Sequence, residues 1–129
     1  MSADLALQGA VVAALKVGVP AVAGRVFDRV PPDAVFPYVN VAGWQVVRDD
    51  AECIEAVEVY FDVHVWSRAV GRVEASAIAT AVARALHRQE FDLTDYGLVS
   101  LIHRDTRFLA DPDGLTTHGV VNFRAQIDA

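Results

Sequence analysis

The sequence predicts an α+β domain: one mostly antiparallel sheet of four to five strands with two helices packed on one face. Three observations carry that expectation. Val57, Val59, Phe61, Val63 and Val65 alternate without a break against Glu58, Tyr60, Asp62, His64 and Trp66, which is the period of a strand with one dry face. Ala75, Ile78, Ala79, Val82 and Leu86 recur at helical spacing shortly afterwards. The order along the chain is helix, strands, helix, strands.

Each element follows from local chemistry. Ser2 or Asp4 caps a first helix running to about Lys16, with Leu5, Val12 and Leu15 at helical intervals and Gln8 and Lys16 toward water; Gly18 and Pro20 end it. Val26 and Phe27 form a short strand, and Pro31, Pro32 and Pro37 then impose a stiff, extended connection. Tyr38 to Val47 read as a strand with Val39 and Val41 on one face and Tyr38, Asn40 and Trp44 on the other. The charged stretch RDDAEC, from Arg48 to Cys53, is a solvated loop joining this strand to the alternating one. Ser67 to Gly71 turn the chain into a second helix from about Arg72 to Arg88. Its acid, Glu74, lies in the first turn, and Arg84, His87 and Arg88 lie in the last, as the helix dipole favours. QEFDLTDYG is a polar connection with a short strand at Phe91 to Leu93. Val99, Leu101 and Ile102 begin a strand that continues to about Leu109, and ADPDGLTTHG is a turn built on Asp-Pro and Asp-Gly. The last strand runs from Thr116 to Ile127, with Val121, Phe123, Ala125 and Ile127 inward and Arg124 and Gln126 outward. With no repeat, low-complexity segment or linker, residues 1–129 form a single domain.

Composition narrows the function classes. More than half of the residues are apolar, as a folded core requires, and the net charge of −6 disfavours a protein that grips the phosphate backbone. Lys16 is the only lysine. The single cysteine, Cys53, cannot form an internal disulfide, and Asp49, Asp50, Glu52 and Glu55 around it disfavour the thiolate. The apolar N-terminal stretch has Asp4 where a signal peptide has basic residues, and no apolar run reaches the roughly 20 residues that span a bilayer. A soluble protein made in the cytoplasm, without a membrane partner, is expected.

The residues alone yield no convincing active site. His64, His103 and His118 lie on predicted strands, so neighbouring strands could bring them together, but no pair has close metal-ligand spacing and no cysteine pair accompanies them, so a metal site is not expected. Asp105, Asp111 and Asp113 sit near Arg104 and Arg107, yet Asp111 and Asp113 fit the turn pattern directly, because Asp bonds its own backbone there. No nucleophile elbow, Walker loop or dinucleotide fingerprint is present. A small α+β enzyme or ligand-binding domain with an apolar pocket is the rival to a structural role.

Three segments together resemble one family: GRVFDRVPPDAVFPYVNVAG at Gly24 to Gly43, FDVHVWSRAVGRVEASAIATAVARALH at Phe61 to His87, and RFLADPDGLTTHGVVNFRAQI at Arg107 to Ile127. Their order and spacing are similar to those of the tail-completion proteins (tail terminators, head–tail joining proteins) of long-tailed phages, a family also found in gene transfer agents. The resemblance covers nearly the whole chain. It implies a non-enzymatic virion protein of the tail or head–tail junction. Such a protein forms a homo-oligomeric ring, usually hexameric, that caps the head-proximal end of the tail tube. Its partners are the tail tube protein and the head–tail connector protein, and DNA passes through the lumen without specific binding. The resemblance implies no metal or cofactor and carries no catalytic motif to these residues.

Ring closure needs two different faces of each subunit in contact. The aromatic, mixed strand face at Tyr60, His64 and Trp66 is a candidate for one, since aromatics are enriched in interface cores. The charged loop with Arg48, Asp49, Asp50 and Glu52, and the turn with Asp111 and Asp113, are candidates for docking above or below the ring. Edge strands can also pair between subunits.

Overall fold

Ser2 caps the first helix: its Oγ accepts the Leu5 N–H at 3.4 Å, and α1 then spans Ala3–Gly18 in the computed structural model, which describes residues 1–48 and 56–128. A short turn of tight helix, Pro20–Val22, leads to β1 (Val26–Phe27) and β2 (Tyr38–Arg48). β3 (Ala56–Ser67), α2 (Val73–Leu86), β4 (Gly97–Ala110) and β5 (Thr117–Asp128) complete the chain. The strands form one five-stranded sheet in the order β1-β2-β3-β5-β4. β1 pairs parallel to β2; every other neighbour is antiparallel.

Both helices cover the same face and share one core with it. α1 contributes Leu7, Val11 and Leu15, not the Leu5 and Val12 of the expected stripe; Leu5 is exposed and Val12 half-buried. The apolar positions of α1 surround more of the helix than a single stripe does, so spacing did not decide its orientation. α2 buries the expected set, Ala75, Ile78, Ala79, Val82 and Leu86. The helices approach closely where Gly18 meets Ala85: a Cβ on Gly18 would lie 2.7 Å from the Ala85 Cβ. Beneath them, Phe61 and Phe123 stack at 5.2 Å between centroids, and both are fully buried. Burying each contributes on the order of 2–3 kcal/mol.

The register of β2 corrects one expectation. Ala42 pairs with Asp62 and Gln45 with Tyr60, so Gly43 and Trp44 together oppose Phe61. Gly43 holds φ of +69°, a conformation that favours glycine, and the extra residue makes a β-bulge. Strict alternation places Trp44 with Tyr38 and Asn40; the bulge shifts it to the helix side, where its ring stacks on Phe61 at 4.7 Å. Its Nε1–H is buried without an acceptor among the described residues.

Other differences are small. α2 begins one residue later than expected and stops at Leu86, because Arg88 takes a positive φ of 60° and its N–H turns to the Leu101 carbonyl of β4. The expected strand at Phe91 to Leu93 is only a single bridge between Leu93 and Tyr96. Among the described residues, no helix is long and apolar enough to cross a membrane.

Candidate functional site

The opposite face of the sheet carries no helix among the described residues. Register arranges its side chains in rows across β2, β3, β5 and β4. At one end stand Tyr38, Trp66, His118 and Leu109, with Asn40, His64, Val120 and Arg107 in the next row. Asp62, Asn122 and Asp105 occupy the middle, and Tyr60, Arg124 and Ile102 the row below.

The first rows form a stack of rings. Trp66 lies on His118 at 3.9 Å between centroids and 7° between planes, and Tyr38 continues the stack 6.3 Å from Trp66. Phe36 packs on Tyr38 at 5.0 Å, and the Arg68 guanidinium sits 4.2 Å above the Phe36 ring. The Trp66 indole N–H donates to Asn40 Oδ1 at 2.8 Å, which holds the ring flat on the sheet. His64 Nδ1 lies 2.6 Å from His118 Nε2, so one ring donates and the other accepts. Burial pushes both imidazoles below the usual histidine range. For His64, Asp62 opposes that shift and Arg107 adds to it; for His118, the neighbouring His64 reinforces it. Two charged imidazoles in contact would also repel each other, so the neutral pair is the favoured state.

The middle and lower rows carry polar and charged side chains. Asn122 Nδ2 donates to Asp62 Oδ1 at 2.7 Å, the Tyr60 hydroxyl donates to Glu58 Oε2 at 2.9 Å, and Arg124 lies 3.6 Å from Glu58. The Arg104 guanidinium covers the Tyr60 ring at 5.2 Å. The Glu58 bond raises the Tyr60 phenol above its usual range.

Of the expected interface residues, His64 and Trp66 fall in one ring stack and Tyr60 lies two rows away on the same face. Asp111 and Asp113 sit in the β4–β5 turn beside that stack. Asp113 organises the turn, accepting from the Leu115 and Thr116 N–H groups at 2.8 Å and from Thr116 Oγ1 at 2.6 Å; these bonds hold its carboxyl below the usual range. Arg68 Nε donates to Thr116 Oγ1 at 3.3 Å and ties the turn to the β3–α2 loop. Val70 and Leu115, both exposed, line a 310 Å³ groove between these two loops. Arg48 ends β2 at the far end of the sheet, and Asp49, Asp50 and Glu52 lie outside the described residues.

Sequence reasoning missed His118, Tyr38, Asn40 and Arg68 as members of the cluster. His118 and His64 are 54 positions apart, and their meeting depends on the β3–β5 pairing across α2 and β4. His103 stays apart on the helix side, where its N–H donates to His87 Nδ1 at 2.9 Å and its ring bonds Thr106. Among the described residues, no three His, Cys, Asp or Glu side chains converge as a metal site.

Fold and surface together define a small α+β domain with one face closed by helices and the other set with stacked rings and paired charges. Chains of similar architecture are known from a gene transfer agent virion and from a bacteriophage. Residues 9–128 match the family of tail completion protein gp17, and the chain belongs to that family. It is similar to a chain in the virion of a native gene transfer agent particle, at 26% identity and a TM-score of 0.86 over 95% of each chain. It is also similar to the gp17 protein of bacteriophage SPP1, at 26% identity and a TM-score of 0.58 over 95% of this chain and 89% of that one. No curated protein sequence matches it.

Proposed function

We propose that this protein is a non-enzymatic ring component of a phage-like tail. It caps the head-proximal end of the tail tube, joins it to the head connector and leaves a channel for DNA. The observation that supports this most is the match to a chain of a gene transfer agent virion over 95% of both chains.

The surface chemistry is compatible with an assembly role. Tyr60, His64 and Trp66, joined by His118 and Tyr38, present rings at low conformational cost, as interface cores do. The loops around Val70 and Leu115 and the turn at Asp111 and Asp113 offer apolar contacts rimmed by charge at one end of the sheet. Arg48 ends β2 at the other end of the sheet, and it is proposed to dock there together with Asp49, Asp50 and Glu52, which follow it in the sequence. The net charge of −6 favours passage of DNA over its capture.

The test is binding to isolated tail tubes of the particle that carries this protein. Saturable capping of one tube end, seen by electron microscopy, is the expected result. Binding along the tube wall, or none at all, would contradict the proposal.

A further inference from the structure

The four long strands β2, β3, β5 and β4 run alternately antiparallel. In such a sheet the N–H and C=O of one residue point to the same neighbouring strand, and successive residues alternate. Three hydrogen bonds set the phase. On the β2 edge, the Val39 N–H donates outward to the Arg25 carbonyl at 3.1 Å. On the β4 edge, the Arg88 N–H donates to the Leu101 carbonyl at 2.8 Å, and the His103 N–H donates to His87 Nδ1 at 2.9 Å. Carried past the bulge by the register, this phase turns Val46, opposite Val59, away from β3. It likewise turns Thr106, Phe108 and Ala110, opposite Val121, Gly119 and Thr117, away from β5.

Each edge is half closed. β1 covers β2 at Val39 and Asn40, and the end of α2 covers β4 at Leu101 and His103. Among the described residues, no backbone bond outside the β2–β3 and β4–β5 ladders reaches Trp44–Val47 or Arg104–Leu109. Val46 and Leu109 are each 48% exposed on these stretches.

We propose that the two half-edges pair with each other between copies. Arg104–Ala110 of one subunit adds antiparallel to Trp44–Val47 of the next, and the sheet continues from subunit to subunit. This rests on the ring reading above and names the contact that closes it. Direction fits: β2 and β4 run oppositely, so copies related by rotation present antiparallel partners. Phase fits as well. The outward groups on both edges belong to helix-side residues, Val46 on one and Thr106 and Phe108 on the other. Two residues that exchange hydrogen bonds share a face, so helices fall beside helices and the ring-stack face beside its equivalent. The edges are unlike, so the contact is head-to-tail and propagates to closure. The open halves lie toward opposite ends of the sheet, which staggers neighbours as the tilted strands of a barrel require. Six copies would close a barrel roughly 37 Å across at the backbone, wider once the strands tilt. Arg104, Asp105 and Arg107 guard the free edge against unspecific pairing before assembly.

Proline at an outward position removes one edge donor and no ladder bond. Val46→Pro therefore blocks only the β2 edge, and Thr106→Pro, or Ala110→Pro if the first variant fails to fold, blocks only the β4 edge. Native mass would be measured for wild type, each variant and their equimolar mixture, with and without tail tubes. The expected result is a wild-type ring, two monomeric variants, and a one-to-one dimer in the mixture, where each supplies its intact edge to the other. Rings from wild type and from both variants would overturn the edge contact and leave the ring standing. A dimer of Val46→Pro alone would mean two-fold β4–β4 pairing and would also overturn it. Wild type that stays monomeric even on tubes would overturn the ring reading itself.

Discussion

Replacing Gly43 with alanine tests the bulge on which the placement of Trp44 and the phase of the β2 edge both depend. Two costs add. An L-residue at φ of +69° loses roughly 1–2 kcal/mol relative to glycine. The new Cβ would also stand 2.9 Å from Asp62 Oδ2, so that carboxylate must turn. Turning it strains the 2.7 Å bond from Asn122 to the other oxygen, a bond worth about 1 kcal/mol. The sum is about 2–3 kcal/mol, or roughly 6–12 °C in Tm for a domain of this size. Thermal and urea unfolding followed by circular dichroism would measure it. Gly71→Ala is the control, since Gly71 has a φ of +74° with nothing within 4 Å of its Cβ position; it should lose only about 1–2 kcal/mol. A Gly43→Ala protein no less stable than Gly71→Ala would refute the close approach of Asp62. Stability within about 0.5 kcal/mol of wild type would refute the bulge geometry.

The remaining predictions probe other parts of the molecule. Trp44→Phe should change stability by less than about 1 kcal/mol in urea titration, because losing an unpaired buried N–H offsets the lost ring area. Ser67→Ala should cost about 1–2 kcal/mol by the same assay, since the buried hydroxyl donates to Glu74 at 2.8 Å and accepts the Ala69 N–H. The His64–His118 pair is held below the usual histidine range, so the unfolded chain binds more protons in mild acid. Stability should therefore be full above about pH 6.5 and fall as pH drops below it. A His64→Gln, His118→Gln double variant should flatten that slope in Tm measured from pH 5 to 8. The isolated protein should not form a stable, specific complex with duplex DNA at physiological salt; tight binding in a gel shift would contradict passage without capture.

Where burial alone sets the pattern, the fold was readable. The unbroken alternation of β3 and the Ala75-to-Leu86 stripe of α2 mark faces that cannot be exchanged without exposing a whole row of apolar side chains. Alternation failed at Trp44 because one glycine changed the phase of β2, and Gly43 inside a strand pattern was the available signal for that bulge. α1 was located but not oriented, because its apolar positions outnumber those the core can take. At the candidate surface, Tyr60, His64 and Trp66 were visible as one face of β3, whereas His118, Asn40 and Tyr38 join them only through cross-strand register. Register between β3 and β5 spans an intervening helix and strand, so local spacing does not encode it. The family resemblance supplied what geometry did not: the tail role of this fold comes from its relatives, not from its side chains.

The most direct test of that role is to count subunits at the tube end. Isolated tail tubes would be saturated with the purified protein, washed, and the number of bound copies per tube end measured by quantitative mass spectrometry alongside end-on electron microscopy. Six copies in a ring around an open channel at one end is the expected result. Binding with no fixed number per end, or a ring whose centre is closed, would contradict the proposed capping ring and its channel.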